Sequence, residues 1–263
     1  MIYKYKNFFK TKTIEIEKGI FKSEINKLEI EKYYSNLYWN KFSNRSKIIN
    51  LKNKIFNLTL KNKSYVYESD WKILKKYSKI NPKKELLEIG CGEGKFLKSI
   101  SKKIKVYGIE PDIKFANSLK KDFGDKILNE KYDEINLKKR FDVIYLRHVF
   151  EHFFDYTLVL NKLKNNLKKE GIIYINIPNC ENERIMYESV VNHPHIWHFT
   201  LEGFKKTLEK QNFQILHINT YSWKTKNKHL NLIKSFFKIG NLKLDKKTKG
   251  EFIIAIIKNE KRN

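Results

Sequence analysis

Leu86-Leu87-Glu88-Ile89-Gly90-Cys91-Gly92-Glu93-Gly94-Lys95-Phe96-Leu97 decides the reading of this chain. An apolar run breaks into three glycines and then resumes with helical spacing, the order of a strand, a cradle and a helix. Alternate glycines remove Cβ atoms where the backbone turns tightly and lies against a ligand, and free amides at the start of the following helix face the same space. The spacing is G-x-G-x-G, and an acid, Glu88, stands just before the first glycine. Both features depart from the dinucleotide pattern G-x-G-x-x-G, while still implying a bound nucleoside.

Val106-Tyr107-Gly108-Ile109-Glu110-Pro111-Asp112 reads as the next strand. It places Glu110 at the strand end roughly 20 residues beyond Gly90, where a carboxylate accepts both hydroxyls of a ribose. Together, Glu88, the three glycines and Glu110 resemble the cofactor site of class I S-adenosylmethionine (SAM) methyltransferases. The resemblance implies SAM as cofactor, held by Glu88, Gly90, Cys91, Gly92, Gly94, Phe96, Glu110, Pro111 and Arg147. It also implies an N-terminal helical lid in which Tyr33, Tyr34, Tyr38 and Trp39 cover the cofactor, with Tyr34 and Trp39 touching it.

Around this motif, strands and helices alternate. Strands are expected over 85–90, 104–110, 126–129, 141–146 and 171–177, and helices over 94–102, 112–122 and 152–168. Such alternation predicts an α/β fold, a parallel sheet with helices on both faces. The right-handed crossover rule then brings Gly90, Glu110 and the end of the fourth strand to one edge. A helix over 201–210, with Thr200 as N-cap, and strands over 213–220 and 251–258 complete the pattern. Family resemblance makes the sheet Rossmann-like and seven-stranded, with the last strand antiparallel.

Upstream, Thr13-Ile14-Glu15-Ile16-Glu17 and Gly19 suggest a hairpin, and apolar residues at helical spacing from Ser23 to Leu60 suggest two helices. A further helix over 69–79 ends before Asn81-Pro82. The expected division is a hairpin and helical extension over 1–68 and a SAM-binding domain over 69–263. Residues 222–249 read as a basic insertion, with Leu230, Ile233 and Phe237 on one helical face. That face suits packing on the core or a subunit contact, or else peripheral contact with anionic lipid.

The 263 residues suffice for one large domain with additions. The chain lacks an apolar run long enough to span a bilayer, and its first residues lack a secretion signal, so a cytoplasmic protein is expected, at most peripheral at the inner face of the membrane. Cys91 and Cys180 are the only cysteines, with no paired zinc spacing, and no disulfide is expected. Lys and Arg number 55 against 29 Asp and Glu, a net charge of +26. Two explanations stand: the lysine-rich usage of an AT-rich genome, or an anionic partner.

The chemistry concentrates after the fourth strand, in Arg147-His148-Val149-Phe150-Glu151-His152. Similar sequences occur in methyltransferases acting on small molecules and glycans, including the ubiquinone-biosynthesis O-methyltransferases, where Glu-x-x-Glu-His binds a divalent metal. Here His148 takes the first position, so metal binding by His148, Glu151 and His152 is not the favoured expectation. The same letters fit the inverted zinc-protease pattern H-x-x-E-H, but that site needs one continuous helix. A catalytic imidazole is expected instead, His152 first and His148 beside it, with His195 and His198 second. The loop Asn192 to Thr200 carries His193, His195 and His198, which suit acceptor recognition, with Trp197 and Phe199 as an apolar platform, or metal.

No Asp/Asn-Pro-Pro-Tyr follows the fourth strand, which argues against base N-methylation, and Cys180 has no Pro-Cys partner. The leading expectation is O-methylation of a sugar or a nucleotide-activated, phosphate-bearing surface-glycan precursor. Nucleic acid is not the expected partner. RNA or protein methylation, or SAM binding with little chemistry, are the alternatives.

Overall fold

A computed structural model describes residues 2–4, 10–32, 65–191, 193, 195–223, 242–244 and 249–260. The elements in chain order are β1 (Ile2–Lys4), β2 (Lys10–Glu17), β3 (Ile20–Ser23), α1 (Lys27–Lys32), α2 (Tyr65–Tyr77), β4 (Glu85–Ile89), α3 (Lys95–Ile100), β5 (Lys105–Ile109), α4 (Ile113–Phe123), β6 (Ile127–Leu128) and β7 (Phe141–Arg147). They continue as α5 (Tyr156–Asn165), β8 (Leu167–Pro178), α6 (Glu183–Val191), β9 (Trp197–Phe199), α7 (Leu201–Lys210), β10 (Phe213–Trp223), β11 (Leu242–Leu244) and β12 (Phe252–Asn259).

The main sheet runs β11-β10-β12-β8-β7-β4-β5-β6. Strands β6, β5, β4, β7 and β8 are parallel, and β12 enters antiparallel between β8 and β10. The seven expected strands are therefore present with the last in sequence reversed, and β11 adds a short edge strand beside β10. Period-two alternation buries both faces: Leu87, Ile89, Ile144 and Leu146 enter one apolar cluster, and Leu86, Val106, Val143 and Tyr145 the other. Because every parallel strand points the same way, the ends of β4, β5 and β7 form one edge.

Local signals set the helix starts. Asp112 accepts from the amides of Lys114 and Phe115 to cap α4, Asp155 accepts from Leu158 to cap α5, and Thr200 accepts from Gly203 to cap α7. The helix expected from 152 therefore begins at Tyr156, since a short 3-10 turn over Phe150–His152 precedes the Asp155 cap.

The N-terminal hairpin is present and builds a second sheet, β1-β2-β3-β9. Part of the segment expected as a loop is thus a strand: β9 pairs antiparallel with β3, Phe21 opposite His198. Contact with α7 is close, because a Cβ on Gly203 would lie 2.1 Å from the Gly19 carbonyl oxygen. The lid residues Tyr33, Tyr34, Tyr38 and Trp39, and Leu230, Ile233 and Phe237, lie outside the described residues. Among the described residues no helix is long and apolar enough to cross a membrane.

Gly203→Ala has no room against the hairpin backbone. We expect it to lower stability to urea by about 1–3 kcal/mol, whereas Glu209→Ala, on the exposed side of the same helix, stays within about 0.5 kcal/mol.

Candidate active site

All three loop glycines adopt left-handed backbone, with φ of 69° at Gly90, 51° at Gly92 and 67° at Gly94. Their surroundings differ. A Cβ on Gly90 would lie 2.5 Å from Val149 Cγ2 and one on Gly94 2.3 Å from Leu119 Cδ2, whereas one on Gly92 would meet nothing within 4 Å. The outer glycines thus permit close packing, and the middle one faces open space.

Glu110, buried at the end of β5, ties this turn together: Oε2 accepts from Gly92 N at 2.7 Å and Oε1 from Asp112 N at 2.9 Å. Burial raises its pKa against the pull of those two amides. The Asn129 side chain donates to the carbonyls of Glu110 and the exposed Pro111, holding the strand end. Glu88 is buried, and its Oε2 has no hydrogen-bond partner among the described residues. Burial pushes its carboxyl well above the ordinary range, and the Glu110 and Asp70 charges push it further.

Glu88, Gly90, Cys91, Gly92 and Arg147, five of the expected cofactor residues, line one cleft of about 170 Å³, with Tyr67, Glu93 and Lys95. Phe96 does not face it; it is fully buried beneath the loop, stacked on Tyr145 at 4.0 Å. Cys91 is a buried thiol whose pKa burial raises, and its Sγ sits 2.8 Å from where a Cβ on Gly108 would be.

Arg147 is held from below by a residue absent from the sequence expectations. Asp70, fully buried on α2, accepts from Arg147 Nη1 at 3.1 Å, Tyr145 Oη at 2.6 Å and Tyr174 Oη at 2.5 Å. The signal was available: Tyr67, Trp71 and Leu74 form an apolar helical face that contains this one acid.

Next to the cleft, the chain turns sharply after β7. His148 has φ 51°, a conformation unfavourable for a bulky residue, and its amide donates to the Asn176 carbonyl. Its half-exposed ring puts Nδ1 3.5 Å from Oε1 of Glu151. Glu151 is fully buried, and neither carboxylate oxygen has a hydrogen-bond partner among the described residues. His152 is partly buried, edge-on to His195 with 4.6 Å between ring centroids.

Two of the four expected catalytic histidines belong to the interior. His198 is fully buried with both ring nitrogens engaged, Nε2 with Ser23 Oγ at 2.7 Å and Nδ1 with Ser189 Oγ at 2.9 Å. It joins β3, α6 and β9. His195 is buried, with Nδ1 on the same Ser189 hydroxyl at 2.7 Å. The expected apolar platform is also core: Phe199 is buried, and Trp197 donates its indole N–H to the Phe153 carbonyl. His193, exposed, stacks on His195. Cys180 is buried.

A family model described as a methyltransferase domain matches residues 65–218, more than half of the chain. Malonyl-[acyl-carrier protein] O-methyltransferase of Calditerrivibrio nitroreducens is 34% identical over 93 residues, 34% of this chain and 36% of that protein. The tRNA U34 carboxymethyltransferase of Campylobacter lari is 31% identical over 120 residues, 43% of this chain and 41% of that protein. The chain therefore matches about two fifths or less of the length of either relative. Among solved structures, a Thermotoga maritima protein described as a SAM-dependent methyltransferase superposes with TM-score 0.57 at 19% identity, covering 82% of this chain and 98% of that one.

Burial depresses the pKa of His198 to about 3, with a smaller contribution from His152. The unfolded imidazole, near pKa ~6.5, takes up a proton that the folded one refuses. Stability from this residue is therefore complete above that value and is lost as pH falls toward 3. We expect the loss of urea stability from neutral pH to pH ~4.5 to be shallower in His198→Gln than in the parent protein, by up to one bound proton in slope.

Proposed function

This chain belongs to the family of SAM-dependent methyltransferases, and on that premise we propose that it transfers a methyl group to a hydroxyl oxygen of a small acceptor, with His148 as the base. One observation carries the reading. Val149 packs directly on Gly90, so the cleft beside the glycine turn and the exposed imidazole of His148 adjoin at one sheet edge.

The cleft suits SAM on two counts: open space beyond Gly92, and a buried oxygen of Glu88 with no partner among the described residues. Glu88, Gly90 and Gly92 would hold the methionine end, Arg147 its carboxylate, and Glu110 the ribose. When bound, SAM supplies a methyl carbon activated by its sulfonium. Asp70 keeps Arg147 in the cleft, and the Glu110 bond to Gly92 keeps the turn in shape. Positioning of the acceptor oxygen can supply on the order of 7–11 kcal/mol. We assign the hydroxyl proton to His148 in preference to His152, the first expectation, on the ground that the His148 ring is half exposed and Glu151 lies behind it to stabilise the cation formed.

The acceptor we favour is a sugar or nucleotide-activated glycan precursor carrying phosphate, supported by the net charge of +26. An oxygen nucleophile is in keeping with the partial similarity to the malonyl-[acyl-carrier protein] enzyme. RNA is a second reading, favoured by the same charge together with the similarity to a tRNA-modifying enzyme.

Removing Glu110 frees the Gly92 amide, and a hydrogen bond to a charged group is worth about 1.5–3 kcal/mol. Glu110→Ala should therefore bind SAM at least about tenfold more weakly by calorimetry. His148→Ala should keep SAM affinity and lose at least roughly 10²-fold in turnover. Undiminished turnover in that variant would remove His148 from the reaction.

Generic RNA should bind weakly at physiological salt. A complex surviving about 200 mM salt with nanomolar affinity would make RNA the acceptor instead.

A further inference from the structure

We propose that Glu151, His152 and His195 form a binding site for a divalent transition-metal ion beside the methyl-transfer cleft. The ligand set differs from the one the sequence motif offered, since His148 is replaced by a histidine from the segment before β9. The inference deepens the reading of this edge as the acceptor side, but the ion's binding does not require that reading to hold.

Three observations converge. One donor atom from each residue lies within 4.8 Å of the others, with His195 Nε2 4.0 Å from Oε1 of Glu151. Metal bonds of about 2.0–2.2 Å at tetrahedral angles put ligand atoms roughly 3.5 Å apart. Closure therefore needs these separations to shorten by up to about 1.3 Å, shared between two side chains that can rotate. Second, Glu151 is fully buried, and both its oxygens lack hydrogen-bond partners among the described residues. A carboxylate in that condition is costly unless a cation or proton meets it.

Third, the histidine is oriented from behind. Ser189 Oγ bridges His195 Nδ1 and His198 Nδ1, and His198 Nε2 reaches Ser23 Oγ. Protons can run in one consistent direction along this chain: His195 Nδ1–H donates to Ser189, the Ser189 hydroxyl donates to His198 Nδ1, and His198 Nε2–H donates to Ser23. In that arrangement the lone pair of His195 Nε2 faces Glu151. A ligating histidine held by a hydrogen bond from its other nitrogen is the usual outer arrangement of a metal site. Burial keeps the ring neutral, as a ligand must be.

Two imidazoles and one carboxylate suit zinc and its neighbours in the first transition row better than magnesium, which prefers oxygen ligands and retains water. Three protein ligands leave a position open for an acceptor oxygen or water. An ion here would lower the pKa of that oxygen, and the His148 ring lies beside Glu151, one of the three ligands.

The test uses the full chain, stripped with chelator and titrated with Co²⁺ or Zn²⁺ alone, without SAM or acceptor. One equivalent should bind at micromolar or lower concentration, and Co²⁺ should show the visible bands of a low-coordinate N/O site. Glu151→Gln and His152→Ala should each weaken binding at least about 100-fold, and Ser189→Ala about 10–100-fold, as outer-shell losses do. SAM affinity, measured on the same variants, should be unchanged and reports an intact fold. His195→Gln adds a third ligand test. Absence of saturable binding at one equivalent, or binding that survives both Glu151→Gln and His152→Ala, overturns the proposal. Metal binding with no methyl transfer to any hydroxyl would instead retain the site and refute the reaction.

Discussion

The left-handed turn at Gly90, Gly92 and Gly94 is the constraint on which the rest of this structure depends. No L side chain adopts that backbone three times in five residues without strain. Each glycine answers to a different neighbour: Val149 beside Gly90, Leu119 beside Gly94, and open space beyond Gly92. The turn thereby brings the residues after β7 against the end of β4, and it leaves a surface of bare backbone at the sheet edge. Glu110 then joins the turn to the end of β5 through Gly92 and Asp112.

Two buried acids near this edge are handled in opposite ways. Asp70 is fully engaged by two tyrosine hydroxyls and Arg147, a network that fixes the guanidinium under the cleft. Breaking such a buried pair costs about 3–5 kcal/mol, far more than its net contribution to stability. Glu88, by contrast, has one oxygen with no partner among the described residues. Buried polar groups are ordinarily paired, so this oxygen at the cleft is one that the fold itself does not account for.

The histidines divide by depth. His148 is half exposed in a strained conformation at the mouth of the site, His152 is partly buried, and His195 and His198 lie in the interior. The inner pair and two serines connect the N-terminal hairpin, through Ser23, to the residues around Glu151. The hairpin is thus part of the support for the chemical edge. Its docking rests on the absence of a side chain at Gly19 and Gly203, where the backbones touch.

What the sequence determined by itself was whatever local chemistry dictates. The apolar alternation set the sheet strands, the glycine spacing set the turn, and Asp112, Asp155 and Thr200 carry the caps that start their helices. The three glycines and Glu110, which share the predicted edge, were legible for the same reason. Depth was not legible, because a histidine in a polar-looking segment reads alike whether it faces solvent or the interior. Only the pairing of β9 with β3 buried His198, Trp197 and Phe199, and only the fold brought Asp70 under Arg147 and His195 to Glu151. These contacts join residues far apart in the chain, and no local periodicity encodes which of them meet. Packing of the hairpin and of α2 against the sheet decided them.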